Sequence, residues 1–230
     1  MNKRIERGLM ILVAILLPVV IMLSSLEATA FDESFYADMH EELNITEVVG
    51  TNSGELAGIS SKIIDYLRNK TDSLDMKAEI GGESVEVFGE REKLHMVDVK
   101  KLFMGGFYLR NALLALVILS LFILYVMNDR KMKKPGKAIL ASGFTVVILS
   151  VLIATMVFTD FQKYFIGFHK IFFRNDLWIL YPETDVLIQM LPIEFFISIV
   201  KRTVYIFLIQ YALLMGIAYA AMKRPQKIKK

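Results

Sequence analysis

A chain of 230 residues that is 55% hydrophobic, with a net charge of +3 and a mean hydropathy of +0.48, belongs compositionally with membrane proteins. That excludes an ordinary soluble domain and a disordered tail. The complete absence of cysteine excludes disulfide staples, a thiol nucleophile and a thioester intermediate.

The first apolar run, Gly8 to Leu26, follows Lys3, Arg4 and Arg7. It has about the 20 residues that a helix rising about 1.5 Å per residue needs to cross a hydrocarbon core of about 30 Å. The same stretch, with Ala28-Thr29-Ala30 behind it, also fits a cleaved secretory signal. Its apolar core is longer than most signals carry, so an uncleaved anchor is expected. Pro18 is expected to kink this helix without ending it, because membrane helices tolerate proline when neighbours satisfy the freed carbonyl. Comparable runs follow at Phe107 to Met127, Ala138 to Thr159 and Thr203 to Met222. Lipid offers no partner to unpaired backbone groups, so each should be a helix.

Basic residues crowd at Lys3, Arg4 and Arg7, at Arg130, Lys131, Lys133, Lys134 and Lys137, and at Lys223, Arg224, Lys227, Lys229 and Lys230. The charge bias of membrane proteins places all three groups, and both termini, in the cytoplasm. Short lysine-rich loops beside spans are read as topology signals, and no nucleic-acid function is expected. The chain should therefore divide into an N-terminus and first span (1–26), an outer segment (27–104), a second span (105–128), a basic loop (129–137), a third span (138–159), a second outer segment (160–202), a fourth span (203–222) and a basic tail (223–230). The expected fold class is an integral membrane, mainly α-helical protein: a four-helix transmembrane bundle with a small extracellular α+β cap and an interfacial, aromatic-rich segment.

Within 27–104 the apolar runs become short. SFYADMHEELNI can form an extended strand, with His40 on its surface. Asn52 to Lys70 reads as a helix, with Asn52 or Ser53 as cap and Ile59, Ile63, Ile64 and Leu67 on one face. MKAEI and ESVEVF flank Gly81-Gly82, a hairpin signal in which glycine meets the positive φ of a tight turn. Asn44-Ile45-Thr46 matches a glycosylation sequon, a short pattern of little specificity. After Gly89 the chain should become helical and feed the second span.

Residues 168 to 196, FHKIFFRNDLWILYPETDVLIQMLPIEFF, are too polar to cross a bilayer and too apolar for an aqueous loop. Trp178, Tyr181 and several phenylalanines suit the headgroup layer. Chemistry on a lipid headgroup or ester is the first idea this stretch raises. His95 and His169 are the leading catalytic candidates, because imidazole titrates near neutrality and can both take and give a proton. The ordinary alternative for each is a polar residue at the interface. Asp98, three residues after His95 and so on the same helix face, can orient an imidazole, as can Asp176 and Asp185; helix capping or solvation explains each equally well. Neither HxxD nor FHxxFFxND has a recognised metal-ligand spacing, and no metal is expected. Arg110 lies just inside the second span, where a charge is costly, and either serves the site or snorkels to the headgroups. Lys201 and Arg202 can bind phosphate or mark the interface.

With four spans, LHMVDV before the second and FHKIFFRNDLWILYPETDVLIQMLP before the fourth, nearly the whole chain resembles the lipoprotein intramolecular transacylase family, Lit, of low-GC Gram-positive bacteria. The resemblance implies an acyltransferase that moves the sn-2 acyl chain of a diacylglyceryl-modified N-terminal cysteine to that cysteine's own α-amino group, giving a lyso-form lipoprotein. It implies His95 and His169 as the two essential histidines; from their own chemistry and placement, Asp98, Asn175, Asp176 and Asp185 are expected to support them and Arg110, Trp178, Tyr181 and Arg202 to meet the substrate. The implied partners are the diacylglyceryl lipoprotein and membrane lipid, with no cofactor and a site on the extracellular face of the cell membrane; the oligomeric state stays open. His169 is expected to take the amine proton while His95, oriented by Asp98, stabilises the oxyanion or protonates the departing glyceryl oxygen, or the roles are exchanged. Two other classes compete: a membrane sensor or assembly factor whose outer cap binds a partner, and a metal-dependent membrane hydrolase.

Overall fold

The computed structural model of the chain describes residues 2–127 and 132–223. Arg130, Lys131, Arg224, Lys227, Lys229 and Lys230 lie outside the described residues. The protein is integral to the membrane and mainly helical; the described residues include four helices long and apolar enough to cross a bilayer and one small two-stranded sheet. In chain order the elements are α1 (Lys3–Ala30), α2 (Glu33–Glu42), α3 (Ile45–Val49), α4 (Ser53–Leu67), β1 (Lys77–Ile80), β2 (Glu83–Glu86), α5 (Glu90–Val126), α6 (Lys133–Ala141), α7 (Gly143–Phe158), α8 (Phe161–Phe172), α9 (Val186–Met190) and α10 (Ile193–Lys223). The chain divides into two units: a membrane unit (2–26, 108–127, 132–158 and 202–223) and an α+β unit (27–107 and 159–201).

In the membrane unit Val13 and Leu17 of α1, Val117 and Leu124 of α5, Ala138 of α6, Val146 of α7 and Phe207 and Tyr211 of α10 form the buried core. Large apolar side chains such as Phe122, Val147, Leu213 and Ile217 point outward, as lipid requires. Several polar groups are paired within the unit, while the buried Ser150 and Thr203 hydroxyls have no hydrogen-bond partner among the described residues. Ser25 Oγ bonds Gln210 Oε1 at 3.3 Å, Ser142 Oγ bonds the Tyr211 hydroxyl, and Lys134 pairs with Glu6. The third apolar run is two helices joined at Ser142. A Cβ on Gly136 would meet the Met222 side chain and the Ala218 carbonyl, so glycine permits α6 and α10 to approach. Helix α5 has 37 residues and is about 55 Å long, more than a hydrocarbon core of about 30 Å accepts. Its apolar C-terminal half is the span, and its charged N-terminal part belongs to the α+β unit.

The α+β unit has its own core, in which Leu56, Ile59, Ile63 and Leu67 of α4 pack with Ile45, Ala78, Val87, Phe88, Met96, Leu187 and Met190. Helix α4 starts where expected, with the Asn52 side chain accepting from Glu55 N at 3.0 Å. The hairpin pairs Lys77 with Glu86 and Ile80 with Glu83, and Gly81 (φ 62°) and Gly82 (φ 83°) supply the left-handed turn. It is tied to the α3–α4 turn by Gly81 N donating to Gly50 O at 2.8 Å and Thr51 Oγ1 donating to Glu79 O at 2.5 Å.

Two expectations are corrected here. SFYADMHEELNI is helical, forming most of α2, and no strand is present there. Asp32 caps that helix by accepting from Ser34 N at 3.1 Å, and Phe35, Tyr36, Met39 and His40 fall on one buried face. His40 is accordingly buried, 5% exposed, with its ring 6.2 Å from those of Tyr36 and Phe195.

Candidate active site

His95 lies in the second turn of α5, and His169 lies in the last turn of α8. Asp160 starts α8 by accepting from Lys163 N at 3.0 Å, and His169 and Lys170 are the basic residues of its final turn, where the helix dipole favours positive charge. The two imidazoles meet with ring centroids 6.0 Å apart and an interplanar angle of 35°. Both are buried, 7% and 8% exposed.

His169 sits in an aromatic box. Its centroid is 4.4 Å from that of Phe165, 5.1 Å from Trp178, 5.5 Å from Phe173 and 5.6 Å from Phe168. Phe173 also meets His95 edge-on at 5.3 Å. The i, i+4 spacing on α8 puts His169 Nδ1 2.7 Å from the Phe165 carbonyl oxygen. A carbonyl only accepts, so Nδ1 carries the proton and the neutral ring keeps its lone pair on Nε2. His95 Nδ1 is buried without a hydrogen-bond partner.

Burial holds both rings in the neutral form. His95 is pushed down to about 4, first by desolvation and then by His169, with Asp98 partly opposing. His169 is lowered by desolvation, opposed by its bond to the Phe165 backbone, and His40 is lowered by the same cause. A depressed imidazole binds its proton later than it does in the unfolded chain, so stability is full above about pH 6.5 and falls as pH drops below it. Glu92, raised by burial, opposes this with one proton against three. Chemical denaturation at pH 7.5 and pH 5 should therefore give a lower midpoint at pH 5; equal midpoints would contradict neutral buried rings.

The carboxylates take other partners than expected. Asp98 accepts from Asn175 Nδ2 at 2.9 Å and from Lys101 at 3.2 Å, and it acts on His95 only through space. Those two hydrogen bonds lower the Asp98 carboxyl, Asn175 first. Asp185 accepts from Tyr181 N at 2.7 Å and from Thr184 Oγ1 at 3.1 Å, which closes the turn before α9. Asp176 lines a pocket of about 460 Å³ together with Lys170, Phe173, Arg174, Asn175 and Trp178. Among the described residues no carboxylate bonds either imidazole; the Phe165 carbonyl does so for His169. Tyr181 lies 5.8 Å from the Arg91 guanidinium. Arg110 and Arg202 belong to the membrane unit, where Arg110 donates to Asn111 Oδ1 at 3.1 Å and 3.2 Å. Among the described residues no group of three or more His, Cys, Asp or Glu side chains is placed to hold a metal ion.

Two residues beside the site carried no signal in the sequence. Arg91 Nη1 donates to the carbonyls of Asp176 and Ile179, both at 2.9 Å. Glu92, 2% exposed, accepts from Gly89 N at 2.6 Å and from Leu187 N at 2.7 Å, joining α5 to α9. Burial raises its carboxyl, and the two backbone N–H groups oppose the rise.

The fold is that of solved structures of the membrane integral lipoprotein intramolecular transacylase Lit from Bacillus cereus. One matches with a TM-score of 0.81 at 22% identity, covering 96% of this chain and 98% of that one. Two others carry single histidine substitutions, to arginine and to alanine. They match with TM-scores of 0.76 and 0.75 at 21% identity, each covering 96% of this chain and 94% and 96% of theirs. Among curated proteins none matches the chain. Residues 11–196, four-fifths of the sequence and both histidines included, match the family model described as lipoprotein intramolecular transacylase Lit. The chain belongs to the lipoprotein intramolecular transacylase family, Lit, and is an acyltransferase integral to the membrane.

Proposed function

We propose that the protein moves the sn-2 acyl chain of a diacylglyceryl-cysteine lipoprotein to that cysteine's α-amino group, with His169 as general base and His95 as hydrogen-bond donor to the oxyanion. One observation carries the assignment: the Phe165 carbonyl holds the proton of His169 on Nδ1, which leaves the Nε2 lone pair for the substrate.

An α-amine with a pKa of about 7.7–8.0 is largely protonated at neutral pH and must lose a proton before it attacks. That first proton goes to solvent; His169 Nε2 then takes one of the two remaining amine protons as nitrogen adds to the ester carbonyl carbon. The carbon–oxygen bond to glycerol then breaks, and the imidazolium returns the proton to the leaving oxygen. The bond order and proton count balance without an acyl-enzyme, which suits a chain without cysteine. The transient imidazolium faces Trp178 and Phe165, whose π faces stabilise a cation. His95 is neutral at working pH and donates one N–H without bringing a competing charge. Amine and ester belong to one molecule, so the site chiefly has to fold the substrate until they meet.

The positive-inside bias supports cytoplasmic termini and an α+β unit on the extracellular side, where a lipoprotein presents its lipidated cysteine. Aromatic residues 165 to 196 then border a groove for the acyl chains. The test is mass spectrometry of lipoprotein N-termini from cells with and without the protein. An N-acyl, monoacylglyceryl cysteine that appears only with the protein is the expected result; the same diacylglyceryl cysteine in both would overturn the reading.

A further inference from the structure

Trp178 lies in the irregular segment between α8 and α9, where no helix or ladder holds the backbone. Local bonds and ties to α5 hold that segment; Ile179 N donates to Asp176 O at 3.2 Å and Asn175 Nδ2 donates to Asp98 Oδ2 at 2.9 Å. Leu177 N donates to Asn175 Oδ1 at 3.1 Å, and Arg91 Nη1 donates to the carbonyls of Asp176 and Ile179, both at 2.9 Å. These carbonyls bracket Trp178, two residues before it and one after. One guanidinium nitrogen, with two N–H bonds in a fixed plane, satisfies both. The guanidinium also lies 5.8 Å from the Tyr181 ring at the far end of the segment. Arg91 precedes His95 by four residues, so both project from one face of α5. One rigid helix thus presents His95 to His169 and, one turn earlier, holds the loop whose indole covers His169 at 5.1 Å.

We propose that Arg91 is a positioning residue for the acyl-transfer site: by clamping the Asp176 and Ile179 carbonyls it seats Trp178 on the His169 ring and keeps water from that imidazole. This rests on His169 being the base. Arg91 itself touches no reacting atom. Without the clamp the loop opens, Trp178 leaves the ring, and turnover falls more than substrate affinity, because the base is no longer held in a dry and fixed position.

Trp178 is the only tryptophan in the chain, so intrinsic fluorescence reads this one ring. A protonated imidazole in contact quenches indole emission, and His169 is the imidazole against it. His95 is the titratable ring packed next to His169, while Lys170, Arg174 and Asp176 line the pocket beside Trp178. In the full-length protein, Arg91→Ala should red-shift the emission, expose Trp178 to acrylamide and abolish the fall of emission with acid. The rate of acyl transfer should drop on the order of 10-fold to 100-fold, mainly in kcat. Arg91→Lys keeps the charge and the donors without the planar fork, and should restore part of each signal. Unchanged emission and acid quenching in Arg91→Ala would overturn the proposal. If Arg91→Ala does not fold, an Arg91→Lys protein with wild-type emission and full kcat overturns it equally. His169→Ala separates the two ideas: an active His169→Ala protein removes the base assignment, whereas the fluorescence of the Arg91 variants decides the clamp by itself.

Discussion

Replacing His169 with glutamine should lower the rate of acyl transfer by about 10²–10⁴-fold, the range that a positioned general base supplies. Glutamine keeps a donor for the Phe165 carbonyl, so the end of α8 should persist and circular dichroism and gel filtration should match the wild type. His95→Ala removes a donor to the oxyanion and should cost about 10²–10³-fold. The pH profiles separate the two residues. The substrate amine gives the rate a limb at about 7.7–8.0 in every variant; the wild type has a second limb, below pH 6.5, that belongs to His169, because burial lowers that ring. His95→Ala should keep a limb of that shape at reduced height, and His169→Gln should lose it. Equal rates for His169→Gln and wild type would remove the base from the mechanism.

Glu92→Ala should cause a large loss of stability in the α+β unit. The carboxylate is 2% exposed and satisfies two backbone donors, Gly89 N and Leu187 N. Truncation strands both, at about 1–3 kcal/mol each. Glu92→Gln keeps one acceptor oxygen and turns an NH₂ group toward the second donor, so it should recover part of the loss. Because Leu187 N begins the approach of α9 to α5, the damage should concentrate there, and hydrogen exchange should accelerate around residues 186–190 more than in the β1–β2 hairpin. A thermal midpoint within 1 °C or so of wild type for Glu92→Ala would show that the two N–H groups find other acceptors.

The apolar runs, the hairpin and α4 were legible because each is written in local periodicity or in a residue with one conformational use, such as Gly81-Gly82 and the Asn52 cap. Histidine pairing was legible because two imidazoles beside spans on one expected membrane face are unusual, and because LHMVDV and the FHKIFF stretch resembled a family. Helix α2 was misread: Phe35, Tyr36 and Ile45 favour strands, while Asp32, the cap that starts the helix, stood just outside the segment considered. His40 was misplaced with it, since burial follows from the helical face it shares with Tyr36. The partner of Asp98 was misjudged for a different reason. Spacing puts it beside His95, but Asn175, 77 residues away, competes for the carboxylate, and no local pattern reports that. Arg91 and Glu92 were invisible on the same ground. A charged pair in a first helical turn reads as solvated until Leu187, 95 residues later, is seen to donate to it. The sensor reading falls away with family membership.

The central claim is that His169 delivers the sn-2 acyl chain to the α-amine. It is tested most directly with a synthetic diacylglyceryl lipopeptide deuterated only in its sn-2 chain, incubated with the purified, reconstituted protein and read by tandem mass spectrometry. The label should move from glycerol to the N-terminal amide with the wild type and stay on glycerol with folded His169→Gln. Label reaching the amide at the same rate in that variant, or an amide that carries the unlabelled chain, would contradict it.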